Sequence, residues 1–328
     1  MAGTLQAADR ALAGKTGDAA PGFQNMLAVV QTCSTSDVAA NLSRVRALVA
    51  RAATELRAQF VCLPECADYV GAEGEPHSLD GPVVAAYGDM ARAHRVWLSV
   101  GGVHESLGAG RRGLVGVAGE APAKPAPFQH NTHLVFDDRG ALRAVYRKVH
   151  LFDAGYDGGW RESDSTRPGD RLVIVRGTPV GAVGLATCYD VRFPSVAQAY
   201  ALAGADVILF PSAFMVTTGR AHWELLMRAR AVEAQCYVAA AAQCGAHHAK
   251  RTSYGHSVVV DPFGRVLVDA GEAEREAVHA VRVDRAVLEE VRRAMPMADH
   301  IRAADRVLRV TANVVEAEET VASGGVSR

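Results

Sequence analysis

Short unbroken apolar runs alternate along this chain with longer segments in which apolar residues recur every three to four positions. The first pattern is that of buried strands, the second that of amphipathic helices. FQNMLAVVQ, Phe23 to Gln31, reads as an opening strand. Asp37 is a suitable N-cap for a helix from Val38 to Gln59, where Leu42, Val45, Val49, Ala53 and Leu56 share one face. FVCLPE, Phe60 to Glu65, is a buried strand stopped by Pro64. Pro82 to His94 reads as a helix and Val96 to Ser106 as a strand. NTHLVFDDRGALRAVYRKVH predicts a β-hairpin turning at Asp138, Arg139 and Gly140. Further strands are expected at Arg171 to Val175, Val183 to Thr187 and Ala205 to Ser212, with a helix from Val196 to Ala203 ended by Gly204. A helix from His222 to Gln235 carries Leu225, Leu226, Ala229 and Val232 on one face and leads into the apolar run YVAAAAQC. SVVVDPFGRVLVDA is a second hairpin, and Arg285 to Arg293 is the last predicted helix. Intermingled strands, helices and hairpins predict an α/β class with a mixed sheet.

Composition divides the chain and narrows its partners. Residues 1–22 are rich in Ala and Gly and lack the apolar core of a secretory signal, so a disordered tail is expected there. Arg10 and Lys15 are offset by Asp9 and Asp18, which weakens a mitochondrial reading, and the expected compartment is the cytoplasm. One domain is expected over residues 23–296, interrupted by a low-complexity loop at 108–127, with a C-terminal extension over 297–328. An apolar content of 49% and a formal charge of -1 allow a sizeable core but leave no electrostatic footprint for nucleic acid or an acidic membrane. No apolar run approaches the ~20 residues that span a bilayer. The six cysteines include no C-x-x-C pair, so neither a disulfide framework nor a structural metal site is expected.

Three of the buried strands end in a side chain capable of chemistry. FVCLPE delivers Glu65, LRAVYRKVH delivers Lys148, and VGLATC delivers Cys188. Taken singly, these residues read as a turn carboxylate, a solvated strand end and a core thiol. Together they fit amide hydrolysis. Such a reaction needs a nucleophile, a proton shuttle and a group to stabilise an oxyanion. Cysteine attacks only as thiolate and requires a nearby base, which a buried carboxylate can be. A lysine ammonium is a fixed positive charge for the oxyanion. A Cys-His arrangement is the rival, and His150 is the His nearest these tips in sequence.

LPE around Glu65, YRKVHLFD around Lys148 and CYDVRFP around Cys188 resemble, in this order, the three motifs of the nitrilase superfamily of carbon–nitrogen hydrolases. The resemblance runs from about Gln24 to about Pro296. It implies a four-layer α-β-β-α sandwich with mixed sheets, no cofactor or metal, and a homodimer packed sandwich to sandwich. RESDSTRPGD, PSAF and TTGRAHWELLMRARAVEAQCYV resemble the ω-amidase-like branch, and AAAQCGAHHAKRTSYGHSVVVDPFG is closer to the branch acting on deaminated glutathione. The resemblance assigns Cys188 as nucleophile, Glu65 as general base and acid, Lys148 as oxyanion stabiliser and Glu162 as the carboxylate that orients Lys148, with Asp164 the second choice. The Tyr189 backbone N–H would join Lys148 at the oxyanion. Arg192, Phe214 and Thr218 would contact the keto-acid end of the substrate, with an Arg192–Asp190 ion pair as the alternative. His247, His248, Lys250 and Arg251 form a basic stretch for the cysteinyl-glycine carboxylate. The implied reaction releases α-ketoglutarate and cysteinyl-glycine. The alternatives are a simple ω-amide such as α-ketoglutaramate and a silent scaffold. Ser195, where the family commonly has Glu, is a departure from the pattern.

Overall fold

The computed structural model describes residues 25–71, 74–108, 128–155, 161–272 and 276–304. β1 (Met26–Thr32) and β2 (Phe60–Leu63) pair in parallel and are joined by α1 (Val38–Thr54). The Asp37 carboxylate caps α1, accepting from the Ala40 N–H at 2.9 Å. The helix stops short of the predicted Gln59. Arg57 turns left-handed at φ 54°, and the Gln59 side chain accepts from the Met26 N–H to open β2 beside β1. α2 (Pro82–His94) returns the chain to β3 (Trp97–Ser106), again parallel, and β4 (Gln129–Phe136) and β5 (Leu142–Arg147) follow as the predicted hairpin.

A second sheet begins with β6 (Val173–Thr178) and β7 (Gly181–Leu185). α3 (Pro194–Leu202), β8 (Val207–Leu209), α4 (Val216–Ala234) and β9 (Tyr237–Ala240) extend it with parallel pairings. At Ala241 the chain crosses back to the first sheet. β10 (Ala242–His248) and β11 (Arg251–Tyr254) form its far edge. β12 (Val258–Val260) and β13 (Val266–Asp269) complete the second sheet, whose order is β13-β12-β9-β8-β7-β6. β14 (Ala277–Arg282) runs antiparallel along β1, and α5 (Arg285–Ala294) and α6 (Met297–Ala304) end the described residues. The order of the first sheet is β11-β10-β1-β2-β3-β4-β5, with β14 beside β1.

Three cores stack these elements into four layers, α-β-β-α. Val45, Leu48 and Val49 of α1 and Tyr87 and Met90 of α2 cover Ala28, Val30, Val61 and Leu63. Leu27, Val29, Phe60 and Cys62 face the other way, onto Val183, Leu185, Val207 and Leu209 of the second sheet. Tyr200 of α3 and Trp223 and Met227 of α4 close the outer face over Ile208, Phe210 and Val238. Central strands are thus buried on both faces, which is why they read as unbroken apolar runs rather than alternating ones.

Several expectations are corrected. YVAAAAQC is two strands in two sheets, not one element. α4 starts at Val216, ahead of the predicted His222, and buries Thr218, Trp223, Met227, Ala231 and Ala234. Of the predicted apolar face, Leu225 and Val232 point outward, 68% and 44% exposed, while Leu226 packs against the core. The competing stripe wins because it buries an indole and a thioether against Ile208 and Phe210. β11 and β14 were not foreseen, and α6 is helical where a polar tail was expected. The predicted N-terminal tail lies outside the described residues, as do residues 109–127 of the predicted loop and 305–328 of the extension.

Candidate active site

Strand ends bring the three reactive groups together. Glu65 lies just beyond β2, Lys148 directly after β5 and Cys188 just beyond β7, all at the carboxyl ends where α/β sheets place their ligands. All three line one cavity.

Glu65 is locked by its neighbours. Cys66 takes a left-handed conformation at φ 57°, and its N–H donates to the Gly102 carbonyl at 2.8 Å. Gln243 Nε2 donates to the Glu65 and Cys66 carbonyls at 3.0 and 3.1 Å. Gly102 must be glycine, since a Cβ there would stand 2.5 Å from Asn131 Oδ1 and 3.2 Å from Glu65 Cγ. The side chain is held too: Glu65 Oε2 accepts from the Ala213 N–H at 2.9 Å.

Cys188 opens a 3₁₀ turn, Cys188–Arg192, in a left-handed conformation at φ 48°. For a non-glycine residue this stores about 1–3 kcal/mol of strain and presents the side chain at the tip of a sharp strand-to-helix turn. Asp190 holds the turn. Fully buried, its carboxylate accepts from the Thr187 N–H at 2.9 Å, Tyr146 Oη at 2.6 Å, and the His150 N–H and Nδ1 at 3.0 and 2.8 Å. Because Tyr146 and His150 flank Lys148, one carboxylate ties the turn of Cys188 to the chain around Lys148. His150 is therefore a structural partner, stacked on Phe193, and the Cys-His alternative falls.

Lys148 Nζ donates to Glu65 Oε1 and Glu162 Oε2, both at 2.9 Å. Glu162 sits on its own 3₁₀ turn, fixed by the Phe152 N–H at 2.7 Å, while the second-choice Asp164 is exposed. Asn131 Nδ2 bridges the two acids, at 2.9 Å to Glu65 and 3.0 Å to Glu162. Burial pushes the Glu65 carboxyl up, but the Lys148 charge and its hydrogen bonds outweigh this and hold it below its ordinary value of 4.5. Burial works against the Lys148 ammonium, yet Glu162 and Glu65 raise it well above its usual range. Burial and the Glu65 charge lift the Cys188 thiol far above a free thiol, against the pull of Lys148. The resting site is thus a carboxylate, an ammonium and a neutral thiol, with the thiol donating to Glu65. A thiol held neutral can attack only once its proton leaves, and the Glu65 carboxylate is the acceptor it already faces.

Tyr189, Arg192, Phe214 and Thr218 all line the cavity. The Arg192 guanidinium lies 5.3 Å from the Phe214 ring and 5.7 Å from that of Tyr189, and Nη1 donates to His222 Nδ1 at 3.2 Å. The alternative Arg192–Asp190 ion pair is not formed; Asp190 is committed elsewhere. Of the basic stretch only Arg251 reaches the cavity. His247 is buried between the Ser34 carbonyl and Ser253 Oγ, and His248 and Lys250 are exposed. Ser195 is also exposed and leaves the site untouched. Asn131, Asp190 and His104, which also lines the cavity, were missed; the only signal was a polar residue inside a predicted strand or turn. Among the described residues no group of three or more His, Cys, Asp or Glu side chains is arranged to hold a metal ion. Nor is any described helix long and apolar enough to cross a membrane.

A sequence profile described as carbon-nitrogen hydrolase matches residues 26–293, spanning every element from β1 to α5. The chain belongs to the carbon–nitrogen hydrolase family. Within the family it is 42% identical over 286 residues to the deaminated glutathione amidase of Homo sapiens, covering 84% of this chain and 82% of that one. It is also 42% identical over 282 residues to a nitrilase and fragile histidine triad fusion protein of Drosophila melanogaster, covering 84% of this chain but only 57% of the fusion. Among solved structures, a Saccharomyces cerevisiae protein of branch 10 of the nitrilase superfamily superposes with a TM-score of 0.69 at 30% identity, covering 85% of this chain and 98% of that one. A carbon–nitrogen hydrolase with this trio of side chains is an enzyme that hydrolyses amides.

Proposed function

We propose that this hydrolase cleaves the side-chain amide of deaminated glutathione, releasing α-ketoglutarate and cysteinyl-glycine. The observation that carries the reading is Arg192, a cation on the nucleophile's own turn, opening into the cavity beside Cys188. It suits a keto-acid carboxylate on the acyl half of the substrate, which a planar guanidinium can hold in two parallel bonds. The relatives named deaminated glutathione amidase support the same choice.

The site performs the reaction as follows. The Cys188 thiol proton passes to Glu65 as sulfur attacks the amide carbon. The resulting oxyanion is held by the Lys148 ammonium and the Tyr189 backbone N–H. The C–N bond breaks as Glu65 returns the proton to the departing amine, leaving a thioester on Cys188. Glu65 then takes a proton from water as its oxygen attacks the thioester. The C–S bond breaks, and that proton regenerates the thiol. Glu162 and Asn131 hold Lys148 and Glu65 in register throughout.

Purified enzyme, assayed side by side, is expected to show a higher kcat/KM for deaminated glutathione than for α-ketoglutaramate. The reverse order makes it an ω-amidase of simple amides. The proposal extends to assembly as a homodimer. Leu225 and Val232 on α4, with Phe263, which is 45% exposed, leave apolar surface open to solvent, and Arg228 stands between the first two on the same side of the helix. A second copy packed sandwich to sandwich would cover it. Light scattering is expected to give twice the chain mass for the wild type and the monomer mass for Leu225→Asp; a monomeric wild type would refute the assembly.

A further inference from the structure

We infer that His104, held by Asp68, binds a carboxylate on the amine half of the substrate. The inference rests on the amidase reading above and adds a recognition element for the leaving group.

His104 lines the same cavity as Cys188 and takes no part in the hydrolytic steps. The β3–β4 register pairs it directly with Asn131, so the two side chains share a face. Gly102, two positions earlier on that face, packs against Glu65. His104 is therefore the next side chain outward from the proton shuttle along β3. Its ring is fixed. The His104 N–H and Nδ1 both meet Asp68 Oδ2 at 3.0 Å, and Tyr69 stacks on the ring at 4.1 Å. Asp68 is fully buried, and His77 Nε2 lies 3.4 Å from the same oxygen. With Nδ1 committed, Nε2 is the polar edge left, and it has no partner among the described residues.

The groups facing His104 are Asp68, Tyr69 and His77 after β2, Cys66 and Glu65 at the end of β2, and Glu162 across the cavity. Burial pulls the imidazole down, but Asp68 outweighs it and raises the ring above its ordinary value. When protonated, the ring oriented by this buried carboxylate offers one N–H at a set position.

The chemistry supplies the ligand. A departing amine must lie within reach of Glu65 to receive its proton. Whatever the amine carries then extends beyond Glu65, and the next side chain on that face is His104. Arg192 stands on the nucleophile's side, with the acyl half. Apart from Glu65 and Glu162, which Lys148 occupies, no acid lines the cavity among the described residues. It therefore suits an amide bearing an anion on each half. A primary amide that releases ammonia gives His104 nothing to hold.

His104→Asn and Asp68→Asn test this with three substrates: deaminated glutathione, its C-terminal carboxamide, and α-ketoglutaramate. In the wild type the carboxamide is expected to show a KM roughly 10- to 100-fold above that of the acid, the range of a charge-assisted hydrogen bond. In His104→Asn the two KM values should converge within about threefold, through a rise in KM for the acid alone. Asp68→Asn keeps the imidazole but removes its counter-charge and should move the ratio the same way; it carries the test if His104→Asn does not fold. An unchanged acid-to-amide ratio in both variants, or a fall in kcat shared by all three substrates, overturns the inference. A wild type that hydrolyses α-ketoglutaramate but not deaminated glutathione fells the substrate reading and this inference with it.

Discussion

Cys188→Ala is expected to abolish amide hydrolysis while leaving the fold in place. Removing the nucleophile of a covalent mechanism lowers kcat by about 10⁴-fold or more, since the remaining groups can only polarise the carbonyl and activate water. The loss should exceed what any substrate-contacting residue produces. Stability should change little. Cys188 is nearly buried but small, and alanine occupies the same left-handed backbone at a similar strain. Product release measured beside a thermal melt checks both halves. Intact-mass detection of a thioester in the wild type and its absence in the variant checks the intermediate. Turnover within tenfold of wild type would remove Cys188 from the mechanism.

Lys148→Met should cost both activity and stability, and in a pH-dependent way. In the proposed mechanism the ammonium is the fixed charge that meets the oxyanion, and loss of one such donor typically lowers kcat by about 10²- to 10³-fold. The same charge is the cation that separates Glu65 from Glu162, at 2.9 Å from each. Removing it leaves two buried carboxylates bridged by Asn131 alone, a change worth about 3–5 kcal/mol of destabilisation.

The pH dependence follows from the signs. In the wild type the folded pKa of Glu65 lies below 4.5, so the stabilisation from its ionised form is complete above that value and is lost as pH falls through the folded pKa. Lys148 is raised, so its contribution holds at neutral pH and is lost only as pH rises through its elevated folded pKa. In Lys148→Met burial acts on Glu65 without the Lys148 charge, its largest counterweight, and the folded pKa is expected to rise above 4.5. The unfolded chain then binds fewer protons than the folded one, and the variant gains stability as pH falls toward 5. Urea midpoints that widen the gap to wild type from about pH 5 to about pH 8 are the expected result. A gap independent of pH would mean the carboxylates are not left unpaired.

These signs also explain why the thiol pKa alone is a poor guide to the nucleophile. Cys188 is held neutral at rest, unlike cysteines activated by a standing positive charge, because burial disfavours its thiolate and the Glu65 carboxylate beside it resists a second anion. In the proposed mechanism the same carboxylate accepts the thiol proton, so one group would help keep the thiol neutral until an electrophile arrives and then remove its proton.

Much of the site was legible because its residues break a local pattern. Glu65 and Cys188 each follow a buried run and end it with a group that cannot stay in an apolar core unpaired, while Lys148 ends the half-exposed strand β5 and is itself buried. Glu162 was legible from its motif, and burial chose it over Asp164. Asn131, Asp190 and His104 sit inside strands or turns whose local pattern has room for a polar residue. Their roles depend on partners far off in the chain: Asn131 meets Glu65 across 66 positions, Asp190 meets His150 across 40, and His104 meets Asp68 across 36. Spacing in sequence carries no record of such pairings.

By itself the amino-acid sequence determined that this is an intermingled α/β chain, where most of its strands and helices lie, and that three reactive side chains stand at the ends of three strands. Those are consequences of local periodicity and of the cost of burying charge. Only the tertiary structure decided that YVAAAAQC splits between two sheets, that Leu225 faces outward while Trp223 faces in, and that Lys148 serves two acids at once. Each of these depends on which of several locally acceptable surfaces finds a partner, and that choice is made by packing and electrostatics summed over groups distant in the chain.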